Sequence, residues 1–198
     1  MFVSFEGLDG SGKTTQVERL RAHLESDGRE VVTAREPGGT ALGEQLRALV
    51  LHGREMTPWA EALVYAAARA ELVAQVIEPA LARGADVLLD RYFDSSVAYQ
   101  GIGRGLGIHE VLELNLLAVR GRIPDRTFVL AVDPTRSLGR VGGSPDRIER
   151  EDAAFHEKVA GGYEQLAALF PERVVVLDGT LDPAELAERI LDDVRRLV

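Results

Sequence analysis

The sequence predicts an α/β protein, a doubly wound five-stranded parallel sheet flanked by helices. Short apolar runs alternate along the whole chain with longer amphipathic stretches, the order that lays helices over both faces of a parallel sheet. Most of the runs are nearly continuous rather than alternating, as strands are when neither face meets water. A glycine-rich turn also separates the first apolar run from the first amphipathic one, where folds of this kind receive anions.

In chain order the strands are expected at residues 2–5, 30–34, 87–90, 127–132 and 173–177, and the helices at 13–26, 40–51, 58–83, 108–120, 152–170 and 183–197. Pro58 and Pro183 stand where first-turn prolines belong, and Gly28 and Gly84 where helices stop. Pro79 should end or kink the long third helix, because it has no N–H to donate and its ring crowds the preceding turn. Ligands are then expected at the carboxyl ends of the strands.

Composition narrows the function. The 198 residues suit one domain, 1–198, with a small mobile lid at about 136–150. The absence of cysteine excludes disulfides and thiolate metal sites, and four scattered histidines show no zinc spacing. A net charge of −9 argues against nucleic acid as a partner. No apolar stretch is long enough for a bilayer, and the start MFVSFEG lacks the features of a secretory leader, so no membrane association and a cytoplasmic protein are expected. Only Lys13 and Lys158 are lysines, while arginine is abundant. Arginine holds phosphate by a planar two-pronged fork, so an acidic chain with clustered arginines still suits small anions.

Gly7-Leu8-Asp9-Gly10-Ser11-Gly12-Lys13-Thr14 matches G-x-x-x-x-G-K-[ST] without a gap, after an apolar strand and ahead of a helix with Val17, Leu20 and Leu24 on one side. It resembles the phosphate-binding loop of P-loop NTPases. Its glycines let backbone N–H groups face one point, and the helix N-terminus favours anions. Gly7, Gly10, Ser11, Gly12, Lys13, Thr14 and Thr15 are the ATP-binding candidates. Lys13 would reach the β- and γ-phosphates, and Thr14 would offer its hydroxyl to Mg²⁺. Asp90 ends an apolar strand and suits a Mg²⁺ contact through water, with Arg91 directly after it. A GTPase would need an Asn-Lys-x-Asp reader, and the sole asparagine is Asn115, in Leu-Asn-Leu-Leu.

Longer motifs carry a resemblance. The run from Phe5 to Gln16, Thr33-Ala34-Arg35-Glu36-Pro37-Gly38-Gly39-Thr40, Asp90-Arg91-Tyr92, Leu63-Val64-Tyr65-Ala66-Ala67-Ala68-Arg69, Ser95-Ser96-Val97-Ala98-Tyr99-Gln100-Gly101 and Asp146-Arg147-Ile148-Glu149 resemble, in order and spacing, the signatures of the thymidylate kinase family. The resemblance spans nearly the whole chain. It implies direct transfer of the γ-phosphoryl group of Mg·ATP to dTMP, giving dTDP and ADP, by a homodimer. It also implies roles. Asp9 would meet the dTMP 3′-hydroxyl and stand near Mg²⁺, while Arg35, Arg91 and Arg47 would clamp the acceptor phosphate beside Glu36, in a turn where a cis Glu36–Pro37 bond is one available geometry. Tyr65 would stack on thymine, where the family usually has Phe. Arg69 and Gln100 would read the base edge with Ser96 nearby, and Tyr99 would crowd a ribose 2′-hydroxyl.

No variable position of the loop (Leu8, Asp9, Gly10, Ser11) is basic, so the chain resembles members whose catalytic arginine comes from the lid. Arg147 is the first choice for that role and Arg150 the second, with Arg140 packing on adenine. Asp178-Gly179-Thr180, after the last strand, would border the adenine. Two other readings stay open: a kinase for a different nucleoside monophosphate or a deoxynucleoside, and a nucleotide-dependent switch ATPase.

Overall fold

A computed structural model describes residues 1–135 and 145–197. Strand β1 (Phe2–Glu6) is buried at every residue because it lies at the centre of the sheet. The order is β2-β3-β1-β4-β5, with β2 at Val31–Arg35, β3 at Asp86–Asp90, β4 at Arg126–Ala131 and β5 at Val174–Asp178. All pairings are parallel. Each strand lies within one residue of its expected ends.

The sheet is doubly wound, as expected. Helix α1 (Lys13–Ser26) sends Val17, Leu20 and Leu24 onto the face formed by Val3, Phe5, Leu88 and Phe128, joined there by Leu186 and Ile190 of the last helix. Phe2, Val87 and Leu89 point the other way and are covered by Leu72, Ile77 and Ala80. Full burial of one such side chain contributes about 1.5–3 kcal/mol, so each layer adds substantially to the fold's stability.

Helix starts follow their caps. Thr40 accepts from Gly43 N at 2.9 Å ahead of α2 (Ala41–His52), and Thr57 precedes α3 (Pro58–Leu72), with Pro58 in its first turn. Pro79 does not end the third helix. A π-helical stretch, Val73–Ile77, is inserted after α3, with Glu78 N bonded to Val73 O, and α4 (Glu78–Ala82) continues beyond it. The wider register absorbs the donor that proline lacks, and the helix runs on without a break.

Helical structure not expected from the sequence follows β3. It comprises α5 (Phe93–Ser96) and a second π-helical stretch, Val97–Gly103. The glycines at 101, 103, 105 and 107 disguise it, because they break the apolar period that signals a helix. After it come α6 (Ile108–Ala118), α7 (Ala153–Leu169), capped by Asp152, and α8 (Pro183–Val194), capped by Asp182. Among the described residues no helix is long and apolar enough to cross a membrane.

Candidate active site

The loop after β1 curls as its glycines allow. Gly7 has φ 132°, and a Cβ there would sit 2.6 Å from Leu130 O, so only glycine fits. Gly12, at φ 98°, caps α1, whose first turn carries no acidic side chain to oppose an anion. Ser11 Oγ is buried without a hydrogen-bond partner inside the curl. The Lys13 ammonium donates to Leu8 O at 2.8 Å and Gly7 O at 3.3 Å. Burial, and then the charge of Arg91, lower its pKa to about 8. Thr14 Oγ1 donates to Asp90 Oδ2 at 2.5 Å, which joins the loop to the end of β3.

Arg91 organises the centre. Its φ of 73° is a left-handed conformation that costs a non-glycine residue, and Arg91 N bonded to Phe5 O and Tyr92 N bonded to Glu6 Oε1 hold it there. The guanidinium donates to Asp9 Oδ1 at 2.7 Å, to Ser95 Oγ at 3.0 Å, and to the hydroxyls of Tyr99 and Tyr163 at 3.3 Å. Burial works to raise the Asp9 pKa, but Arg91 and Lys13 together bring it down to about 2. Beneath this cluster lies Glu6, fully buried and bonded to Ser95 Oγ, Tyr163 Oη and Tyr92 N. Burial, and then the nearby carboxylate of Asp94, raise its pKa from 4.5 to about 7.

One cavity of about 480 Å³ runs from this loop into the molecule. At the loop end it is bordered by Asp9, Gly10, Gly12, Lys13, Thr14, Thr15 and Asp90. Arg35, Arg47 and Arg91 line its middle, and Tyr65, Arg69, Ser96, Tyr99 and Gln100 its far end. Sequence positions scattered over three strand ends, four α-helices and a π-helical stretch thus line one cavity. Arg35 pairs with Glu44 at 3.1 Å, Arg47 donates to Pro37 O at 2.9 Å, and the Glu36–Pro37 bond between them is cis. Arg69 is 1 % exposed and committed to the protein: it bonds Glu36, Ser96 Oγ, Asn115 Oδ1 and Tyr92 O. It lines the floor of the far end, held there by these bonds. Gln100 Nε2 donates to Glu61 Oε1 at 2.8 Å.

A second cavity of about 360 Å³ lies on the other side of the loop, touched by Gly7, Leu8, Pro134, Asp178 and Thr180. Asp178 Oδ1 caps the turn there, accepting from Thr180 N at 2.9 Å and Thr180 Oγ1 at 2.6 Å.

The expected arginine of the transfer step is placed elsewhere. The Arg147 side chain is 3 % exposed, with Nη1 on Glu61 Oε2 at 2.7 Å and Nε on Val50 O at 2.9 Å, while its backbone N bonds Leu51 O. Reaching the loop from there would abandon a buried ion pair; in this structure Arg147 ties its segment to Val50 and Leu51 of α2 and to Glu61 of α3. Arg150 is exposed, in a turn capped by Asp146. Arg136, Arg140, Gly142 and Gly143 lie outside the described residues. Residues that sequence reasoning passed over are Glu6, Ser95, Tyr163, Glu61 and Asn115. A charge at the end of an apolar strand (Glu6) and an asparagine inside Leu-Asn-Leu-Leu were the available signals.

A family model described as thymidylate kinase matches residues 5–190. The thymidylate kinase of Pelotomaculum thermopropionicum is 50 % identical, over 96 % of this chain and 94 % of its own length. That of Bifidobacterium longum (strain DJO10A) is 47 % identical, over 100 % and 98 %. The crystal structure of thymidylate kinase from Ehrlichia chaffeensis superposes with a TM-score of 0.81 at 32 % identity, covering 98 % of each chain.

The buried Glu6 carries a consequence for stability. A carboxyl whose folded pKa lies above its unfolded value adds stability at low pH and loses it as pH climbs toward the folded value. Between about pH 4.5 and about pH 7 the native protein should lose stability relative to Glu6→Gln. The difference expected is on the order of 3 kcal/mol. Urea unfolding of both proteins across that window checks it, and parallel pH profiles would remove Glu6 as the cause.

Proposed function

The chain belongs to the thymidylate kinase family, and on that premise we propose that its larger cavity holds dTMP end to end with the phosphates of ATP for direct phosphoryl transfer. It is a nucleoside-monophosphate kinase, a phosphotransferase. The observation that carries the substrate assignment is the single cavity joining a phosphate loop, a cluster of arginines and a far end with an aromatic and an amide.

The loop amides and Lys13 receive the ATP phosphates, with Ser11 Oγ available to one of them. A phosphate oxygen of dTMP attacks the γ-phosphorus in line, the bond to the ADP oxygen breaks, and ADP leaves. Arg91 faces both partners, because Asp9, Ser95, Tyr99 and Tyr163 hold its guanidinium at a fixed angle. Arg35 and Arg47 clamp the acceptor phosphate from the opposite wall. Preset charges of this kind stabilise a transition state without reorganising during the step. Arg150 and the lid arginines that lie outside the described residues supply further positive charge. The cavity bordered by Asp178 and Thr180 takes the adenine end.

Thr14 Oγ1 and the carboxylates of Asp90 and Asp9 are hard oxygen donors beside the loop, a set that suits Mg²⁺. Among the described residues no group of three or more His, Cys, Asp or Glu side chains forms a metal cage, so the ion would share its shell with phosphate oxygens and water. When bound it supplies neutralisation of phosphate charge.

At the far end Tyr65 stacks on the base, and Gln100 and Ser96 meet its edge above the floor set by Arg69. Tyr99, seated under the sugar by its bond to Arg91, excludes a 2′-hydroxyl. The enzyme works in the cytoplasm as a homodimer, joined by the apolar side chains that α2 and α3 expose: Leu42 (44 %), Leu49 (48 %), Trp59 (45 %) and Leu63 (53 %).

Three outcomes are expected. ADP should form from Mg·ATP when dTMP is present, with dTDP as product, and Lys13→Ala should lose about a hundredfold to a thousandfold in turnover with an unchanged circular dichroism spectrum. ADP release independent of acceptor would instead indicate a switch ATPase. Tyr99→Ala should raise the use of a ribonucleotide relative to dTMP, and an unchanged ratio would refute the steric gate. The native protein should sediment as a dimer and Leu63→Asp as a monomer; a native monomer would remove this interface.

A further inference from the structure

Glu61 lies on α3 behind the cavity wall and is 1 % exposed, yet it takes part in no step described above. Its carboxylate is surrounded by donors. Gln100 Nε2 reaches Oε1 at 2.8 Å, Arg104 reaches both oxygens at 3.2 Å, and Arg147 Nη1 reaches Oε2 at 2.7 Å. Burial opposes ionisation, but the hydrogen bonds from Gln100, Arg104 and Arg147 outweigh it and hold the carboxyl below its usual range. The two arginines are themselves fixed. Arg104 pairs with Glu151 at 2.6 Å and lies 4.7 Å from the Phe155 ring centroid, and Arg147 is tied to Val50 O. The carboxylate therefore can neither swing away nor take up a proton easily.

An ionised carboxylate accepts and cannot donate. The amide of Gln100 has one end of each kind, and the end facing Glu61 must be its NH₂. With the amide turned this way, its carbonyl oxygen is left able to accept from a ligand in the cavity that Gln100 lines. We infer that Glu61 is a positioning residue for acceptor choice: by locking the Gln100 amide it makes the base site an acceptor, which favours a base with an imide N–H. Thymine and uracil carry that N–H. Cytosine presents a bare ring nitrogen there, and two lone pairs would then face each other. A free amide could flip and serve either base, whereas the locked one serves only the first kind. The inference rests on the reading that this cavity accepts a pyrimidine monophosphate.

The test is kcat/KM for dTMP, dUMP and dCMP in the native protein, Glu61→Gln, Glu61→Asp, Gln100→Ala and the double variant Glu61→Gln/Gln100→Ala. With Glu61→Gln, the preference for dTMP over dCMP should fall about tenfold, the worth of one well-made hydrogen bond. The preference for dTMP over dUMP should stay unchanged, since both bases carry the N–H. In the Gln100→Ala background the Glu61 substitution should add nothing to the loss of selectivity. Glu61→Gln leaves two buried guanidiniums without their counter-charge. Glu61→Asp keeps that charge but withdraws the carboxylate from Gln100, and should shift the ratio in the same direction should the first variant not fold. A loss shared equally by all three acceptors would make Glu61 only a structural anchor and overturn the inference, as would an equal shift with Gln100 absent. No native turnover of dTMP would overturn the functional reading and this inference with it, while an unmoved ratio overturns this inference alone.

Discussion

The site depends on the parallel register of β1 against β3, which sets Phe5 beside Asp90. Arg91 N then bonds Phe5 O, and both chains turn away from the same edge of the sheet, one into the phosphate loop and the other into Arg91. The Asp9–Arg91 pair at 2.7 Å is the direct result. Because β2 pairs with β3 so that Arg35 lies opposite Asp90, a third charged group comes to the same edge. Residues 9, 35 and 91 meet because parallel strands end together. A slip of one residue would turn each side chain to the opposite face and scatter the cluster.

Charge is buried around this edge to an unusual extent. Glu36 pairs with Arg69, Asp94 with Arg173 and Glu61 with Arg147, and one or both partners in each pair are almost fully enclosed. Pairs of this sort add little net stability, because desolvation cancels most of the attraction, but removing one partner costs about 3–5 kcal/mol. Their effect is directional. The Glu36–Arg69 pair lines the cavity and Glu61 holds Gln100, which also lines it, so these two pairs fix donors and acceptors where water cannot screen them. An exposed pair such as Arg189–Glu185 does nothing comparable, and contributes about 0.3–0.5 kcal/mol at most.

Strands and the phosphate loop were legible in the sequence because local chemistry determines them: apolar runs read as strands and glycines as the curl. Arg35, Tyr65, Tyr99 and Gln100 were found through the resemblance, and the structure brings them to one cavity. What stayed hidden depends on long-range partners. Arg147 reads as a mobile basic residue until its pairing with Glu61, 86 positions away, is seen. Arg69 reads as a group reaching for a ligand until Glu36, Ser96 and Asn115 occupy it. Pro79 reads as a stop because a compensating π turn leaves no mark in the sequence.

The second π-helical stretch shows how such partners shape selection. In Val97–Gly103 the register widens so that Arg104 N bonds Tyr99 O, and the consecutive residues Tyr99 and Gln100 both line the cavity. Adjacent residues on a helix point about a quarter turn apart, so they address different parts of a ligand. Tyr99 is tied to Arg91 at the phosphate end and Gln100 to Glu61 at the base end. Under the proposed reading, one short segment therefore senses the sugar and the base of the same acceptor. Two charges, one of each sign, hold this widened turn from both sides. Each of the two residues is thus set by a charge at its own end of the acceptor, Tyr99 by Arg91 and Gln100 by Glu61.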